Sequence, residues 1–226
     1  MILTSSSFAS AEDYGGSSWR RSPSVSIALE RVGGGSYSKL ASSDHDDQSA
    51  SLSAFGIGSV NVNPYTAPRL GVDYITPVGV TVGGGLGFGR FALSSKSGNR
   101  STDDGSLFIY TLTPRVGYRI PLGPRFDLTP RAGVTLAGGS ADAGDHSNES
   151  LGVFAVALSG EVAGAIRLTP SFNLLVGAGF DHTVHANSSR EWKTTSSGGS
   201  TTTKRSEDIK GSLWTAQGWI GIGGYL

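Results

Sequence analysis

Ser171-Phe172-Asn173-Leu174-Leu175-Val176-Gly177-Ala178-Gly179-Phe180-Asp181-His182-Thr183-Val184-His185-Ala186 is the stretch whose reading decides the fold. Its even positions carry Phe172, Leu174, Val176, Ala178, Phe180, His182 and Val184. Its odd positions carry Asn173, Leu175, Gly177, Gly179, Asp181, Thr183 and His185. A period of two is the signature of a strand with one apolar face and one small or polar face.

The same alternation recurs on both sides of this segment. In 150–168, Phe154, Val156, Leu158, Val162 and Ile166 oppose Ser159, Glu161 and Arg167. In 125–138, Phe126, Leu128, Ala132, Val134 and Leu136 oppose Arg125, Asp127, Thr129, Arg131 and Thr135. In 106–120, Phe108, Tyr110, Leu112, Val116 and Tyr118 oppose Thr111, Thr113, Arg115 and Arg119. In 77–91, Val78, Val80, Val82, Leu86 and Phe88 oppose Thr81 and a series of glycines. With the shorter runs 24–33 and 68–76 and the closing run 211–226, the pattern predicts eight strands. The connections alternate in length. Short ones at 76–79, 121–124 and 169–171 carry the Pro or Gly of a tight turn. Long ones at about 34–66, 92–105, 139–149 and 187–210 are rich in Ser, Gly, Asp, Asn and Thr, with Leu52 to Val62 open to a short strand extension.

Composition narrows the class. Glycine supplies 34 of the 226 residues, charged residues only 16%, and 18 Lys+Arg balance 18 Asp+Glu. A neutral chain has no global electrostatic attraction to nucleic acid. The lack of cysteine excludes disulfides, thiolate catalysis, zinc ribbons and iron–sulfur clusters. No apolar run approaches the ~20 residues of a membrane helix. Residues 1–23 show no period and read as a tail. Ala9-Ser10-Ala11 has the small residues of a signal cleavage site, without the charged start and apolar core of a complete signal.

Alternation fits two inverse architectures. A soluble ligand-binding barrel buries the apolar face; a transmembrane barrel turns that face to lipid and encloses the polar one. Strands of this length cover the 9–11 residues that cross a tilted bilayer. The polar face also carries charges of both signs, Arg69, Arg115, Arg119, Arg125, Arg131 and Arg167 against Glu30, Asp73, Asp127, Glu161 and Asp181, suited to an enclosed ion-pair network. The expectation is therefore an all-β, eight-stranded antiparallel up-and-down transmembrane barrel over 24–226.

The hairpin Pro68-Arg69-Leu70-Gly71-Val72-Asp73-Tyr74-Ile75-Thr76-Pro77, the glycine-rich strand from Val80 to Phe88 and the closing strand carry a resemblance. The chain resembles the small eight-stranded outer-membrane β-barrels of Gram-negative bacteria. Trp214, Ile220, Ile222 and Leu226 alternate as in the C-terminal strand signal of that family, with Leu226 in place of its usual Phe or Trp and Gly224 in place of an apolar residue. The resemblance implies a bacterial outer-membrane location, with long loops outside and short turns in the periplasm. It implies outer-membrane lipid, lipopolysaccharide and the barrel-assembly machinery as partners.

Eight strands leave a lumen about wide enough for side chains alone, so the role expected is non-enzymatic: structural, or surface contact through the loops. A narrow small-solute channel is the second reading. An outer-membrane lipid acyl hydrolase is the third, resting on lipid-facing His182 with Ser188 and Ser189 beyond it. His182 and His185, three apart, are expected on opposite faces. No cofactor or metal is expected: Asp44-His45-Asp46-Asp47 lacks the spacing of a calcium loop, and Gly83 to Gly89 sits mid-strand rather than ahead of a helix. Asn99-Arg100-Ser101, Asn148-Glu149-Ser150 and Asn187-Ser188-Ser189 match the glycosylation triplet and mark exposed loops. Arg190, Lys193, Lys204, Arg205 and Lys210 in the last loop are candidates for contact with lipopolysaccharide phosphates.

Overall fold

The computed structural model describes residues 23–42, 48–56, 63–97, 100–142, 149–196, 199–208 and 211–226. The tail read at 1–23 lies almost wholly outside them, as do the acidic run from Asp44 to Asp47 and residues 57–62 of the proposed extension. The chain forms strands β1 (Ser24–Ser42), β2 (Gln48–Gly56), β3 (Arg69–Ile75), β4 (Val80–Ser97), β5 (Arg100–Tyr118), β6 (Ile120–Pro121), β7 (Phe126–Asp142), β8 (Glu149–Thr169), β9 (Phe172–Ser196), β10 (Gly199–Asp208) and β11 (Gly211–Tyr225). A short 3-10 helix, η1, spans Pro64–Thr66.

Every pairing is antiparallel, and β11 returns to pair with β1, which closes the sheet into a ring. The eleven segments make eight staves. β2 and β3 share one, both paired with β1; β5 and β6 share another, both paired with β7; β10 and β11 share the last, both paired with β9. Closure matters physically, because in hydrocarbon no water is available to satisfy the backbone groups of an open edge.

The regions read as long loops are largely strand. β4 and β5 stay paired as far as Ser97 and Arg100, β7 and β8 as far as Asp142 and Ser150, and β9 and β10 as far as Ser196 and Gly199. Gly, Asp and Asn depress strand propensity on average, but a hairpin already in register extends outward at little cost.

The apolar face is outside. Leu70, Val72, Val82, Leu86, Leu112, Val116, Leu158, Val162, Val176, Ile220 and Ile222 are all exposed on the outer wall, while Glu30, Arg69, Asp73, Arg115 and Asp181 are buried within. Exposed aromatics bracket the wall. Tyr74, Tyr118, Phe126 and Phe172 stand near the short turns, and Tyr37, Phe88, Phe108, Tyr110, Phe154, Phe180 and Trp214 toward the long hairpins. The ten steps from Phe108 to Tyr118 run about 33 Å along the strand, roughly 25 Å of height at a 40° tilt, which is the apolar band of a transmembrane barrel. The soluble alternative requires these side chains to be the core, and they are the surface.

Two bulges change what each face carries. In β1, the partners of β11 step from Leu29↔Ile222 to Gly33↔Ile220, so two extra residues are accommodated. Arg31 sits in this bulge with φ 59°, a left-handed conformation uncommon for a residue with a β-carbon. In β9, Ala157 pairs with Thr183 and Val156 with His185, which leaves Val184 as the extra residue.

Candidate functional site: the barrel lumen

The lumen is filled in layers. Toward the long hairpins, the residues just ahead of β3, Asn63 to Ala67, lie in the interior as a strap. Asn63 caps η1, its side chain accepting from the Tyr65 N–H at 3.0 Å, and donates from Nδ2 to Ser38 at 2.9 Å and Thr215 at 3.2 Å. Tyr65 is 1% exposed and packs on Ala137, Ala157 and Leu213. Its hydroxyl meets Thr183 Oγ1 at 2.8 Å. The Arg31 guanidinium donates to the Tyr65 carbonyl, so the β1 bulge anchors the strap.

Beneath the strap lies the charge cluster. Arg69 Nε donates to Glu30 at 2.6 Å, and Arg69 also bonds Glu161. Arg115 holds Asp73 through two nitrogens at 2.9 and 2.6 Å and Glu30 through two more contacts at 2.7 and 2.8 Å. Arg131 reaches Glu30 at 2.8 Å and Glu161 at 3.2 Å. Arg31 stands 3.7 Å from Glu161 and 3.9 Å from Asp181. Arg31, Arg69, Arg115 and Arg131 thus balance Glu30, Asp73, Glu161 and Asp181, and the cluster carries no net formal charge. Bidentate, mutually satisfied pairs are the arrangement in which buried charge is tolerable. Gly71 makes room for it: a β-carbon there would stand 2.7 Å from Arg115 Nη2 and 3.0 Å from Glu30. A cavity of about 10 Å³, room for a single water, lies among Arg31, Arg69, Arg115, Arg131 and Glu161.

A hydroxyl relay ties the cluster to the wall. Ser159 donates to Asp181 at 2.5 Å. With its one proton committed there, Ser159 accepts from Thr135 at 2.6 Å, and Thr135 in turn accepts from Thr113 at 3.0 Å. Gln217 donates to the other Asp181 oxygen at 2.8 Å. Such a chain polarises along its length and fixes one arrangement.

Below the charges, Trp219 lies across the lumen with Ala28, Ala163, Ala165 and Leu175. The indole occupies the space over Gly177, where a β-carbon would come within 2.3 Å of the ring. At the short-turn end, Arg119 pairs with Asp127 at 2.5 Å and stacks 4.4 Å over the Tyr225 ring, and Arg167 reaches Asp127 at 3.4 Å.

No family model and no curated protein matches the chain. Among solved structures it is similar to a major outer membrane protein from Thermus thermophilus, with a TM-score of 0.55 at 15% identity over 91% of this chain and 100% of that one. This is the fold of an outer-membrane β-barrel. Neisserial surface protein A (TM-score 0.49, 11% identity, 90% of this chain and 99% of that one) and OprG from Pseudomonas aeruginosa (0.45, 14%, 92% and 97%) are further structures it is similar to.

Within this barrel, Arg125 is a correction to the sequence reading. It is exposed in the turn before Phe126, its carbonyl accepting from Arg167 N at 2.8 Å, because the strand alternation starts only after the turn. Glu30, Arg69, Asp73, Arg115, Arg119, Asp127, Arg131, Glu161, Arg167 and Asp181 face the lumen, Arg167 at its rim. Arg31 and Tyr65 are not among the sequence candidates. Arg31 occupies an outward parity that only a bulge reverses, and Tyr65 sits in a stretch without period. Trp214, Ile220 and Ile222 lie exposed on the outer wall, and Leu226 is exposed beyond the end of β11.

The expectation that His182 and His185 lie on opposite faces is also corrected, while His182 faces outward as expected. His182 pairs with outward Leu158 and His185 with outward Val156, so the β9 bulge brings both to the outer face. His182 is stacked 3.8 Å from Trp214. The same bulge turns Ser188 inward, and six residue steps separate it from His182, roughly 20 Å of strand. Among the described residues, neither Ser188 nor Ser189 stands within reach of His182. Among the described residues, no group of three or more His, Asp or Glu is placed to hold a metal ion.

Proposed function

We propose that this chain is a non-catalytic outer-membrane barrel that holds surface hairpins on a closed frame. The observation that carries the reading is the stacking of strap, charge cluster, Trp219 layer and lower ion pairs across the lumen. Side chains locked in this way give a frame rather than a path, and specificity on such a frame belongs to the hairpins beyond the membrane. The outward Trp214, Ile220 and Ile222 support delivery by the barrel-assembly machinery. The basic residues of the β9–β10 hairpin support contact with lipopolysaccharide phosphates.

The test is conductance in a planar bilayer, with insertion checked by an SDS-resistant, heat-modifiable band. The inserted protein should leave the membrane at baseline. Reproducible discrete conductance steps would overturn the closed frame in favour of the small-solute channel. Lipid A recovered from cells expressing the protein should keep all its acyl chains; their loss would favour the hydrolase.

A further inference from the structure

His182 and His185 are three residues apart, a spacing that sends two side chains of a regular strand to opposite faces. The bulge in β9 undoes that rule. Thr183 pairs with Ala157 and His185 with Val156, so three steps of β9 run along two steps of β8. His182 pairs with Leu158, exposed on the outer wall, and Val156 stands two residues from Leu158 on that same face. Both imidazoles therefore share the outer wall, along roughly 7 Å of the neighbouring strand.

The fold engages neither ring in a polar contact. Among the described residues, no hydrogen bond or ion pair reaches His182 or His185. His182 is stacked on Trp214 with centroids 3.8 Å apart, and Trp214 in turn meets Phe180 at 5.0 Å. The stack holds the His182 ring in place. Its Nδ1 is buried without a partner, which leaves Nε2 as the atom free to bind. His185 is exposed. Trp214 and Phe180 belong to the aromatics toward the long hairpins, so the pair sits where the wall leaves hydrocarbon and meets water. Lys39 pairs with Trp214 from its other side, two strand spacings or about 10 Å from His182, where salt screens its charge.

We propose that His182 and His185 form a two-imidazole site for a divalent transition-metal ion on the outer face of the barrel. Imidazole nitrogen suits copper, nickel and zinc, whereas calcium and magnesium take oxygen ligands. Two rings at neighbouring positions of one face reach a shared ion at about 2.0–2.1 Å, the zinc–nitrogen distance. Two protein ligands make an open site, and water fills the remaining positions. Copper(II) stands highest in the affinity order of such ligands and is the preferred occupant. The site requires the outward facing of β9 and not the closed lumen, so it stands whether or not the barrel conducts.

The experiment titrates copper(II) against the full chain in nanodiscs, following tryptophan fluorescence, with empty nanodiscs subtracted. Because Trp214 is stacked on His182, bound copper(II) should quench it saturably, and EDTA should restore the emission. Zinc(II) should compete with copper(II), and magnesium(II) should not. Electron paramagnetic resonance of the bound ion should show coupling to two imidazole nitrogens. His182→Gln and His185→Gln should each weaken binding about tenfold or more, since even losses outside the ligand set cost that much. The His45→Asn/His146→Asn double variant keeps the pair and should be quenched as the parent is. Removal of Val184 sets the two histidines at the regular two-residue spacing of one face, and binding should persist. All variants are first shown to keep the heat-modifiable band. The proposal is overturned if copper(II) uptake matches that of empty nanodiscs, if magnesium(II) competes, or if one nitrogen alone is coupled. Unchanged affinity in either single variant, or lost quenching in the His45/His146 variant, overturns it as well. So does a chain that binds only once Val184 is removed, which would place His185 on the inner face. Conductance steps would sink the closed frame and leave this site untouched.

Discussion

Glu30 is the residue on which the interior turns. It is fully buried and accepts from Arg69, Arg115 and Arg131, arriving from three different strands. Glu30→Gln leaves three buried guanidiniums short of one counter-charge, and removal of one partner from a buried pair costs about 3–5 kcal/mol. The expected outcome is a lower urea midpoint for unfolding from lipid vesicles. An unchanged midpoint would mean that water, not Glu30, satisfies those arginines. Gly177 answers to a different constraint, the closeness of the Trp219 ring. Gly177→Ala overfills the site and should cost about 1–3 kcal/mol. Trp219→Leu in the same chain should recover most of that loss, and a double-mutant cycle should give a coupling above roughly 0.5 kcal/mol. Simple additivity would place the indole elsewhere.

At the scale of the element, each wall strand is one polypeptide in two solvents. Cost on the lipid face depends on depth, so two positions of β9 should differ. Val176 pairs with Gly164 and Ile220, midway between Phe172 and Phe180, whereas Leu174 is only two residues from Phe172. Val176→Arg should cost about 2–4 kcal/mol, and Leu174→Arg less, since the arginine there reaches the interface. Equal costs, or a neutral Val176→Arg, would contradict the facing of the whole sheet. The strap is the other element with a measurable tie. Tyr65→Phe removes the bond to Thr183 while keeping the packing on Ala137 and Ala157. It should lose about 1 kcal/mol in the same urea titration, and planar-bilayer conductance should stay at baseline, because the charge cluster and Trp219 lie beneath.

For the whole molecule, ring closure and the filled lumen make one cooperative unit. Unboiled protein should migrate on SDS gels as a compact band distinct from the boiled chain, since no free edge within the membrane offers detergent a place to begin. A ladder of intermediate bands would mean that the β2–β3 stave, interrupted where the strap enters, opens separately. Neutral net charge and a balanced interior leave the field of the molecule to its hairpins.

The strand count, the alternation, the short turns and the lumen-facing set from Glu30 to Asp181 were legible in the sequence. A period of two is local, and eight consistent repeats of it leave little freedom in facing. What sequence could not place are the exceptions to that period. Arg31 and His185 change faces at bulges, and a bulge is one or two residues accommodated by a partner strand far away in sequence. Arg125 has the parity of β7 but lies in the turn. Tyr65 enters the lumen because a gap in the wall, an anchoring Arg31 and a receiving Thr183 meet there, from positions as far apart as 118 residues. The sequence by itself determined a barrel with lipid outside and charge inside, because hydrophobic alternation is read one strand at a time. Only the tertiary structure decided which charges meet and what fills the lumen, because each of those depends on register between strands that no local pattern records.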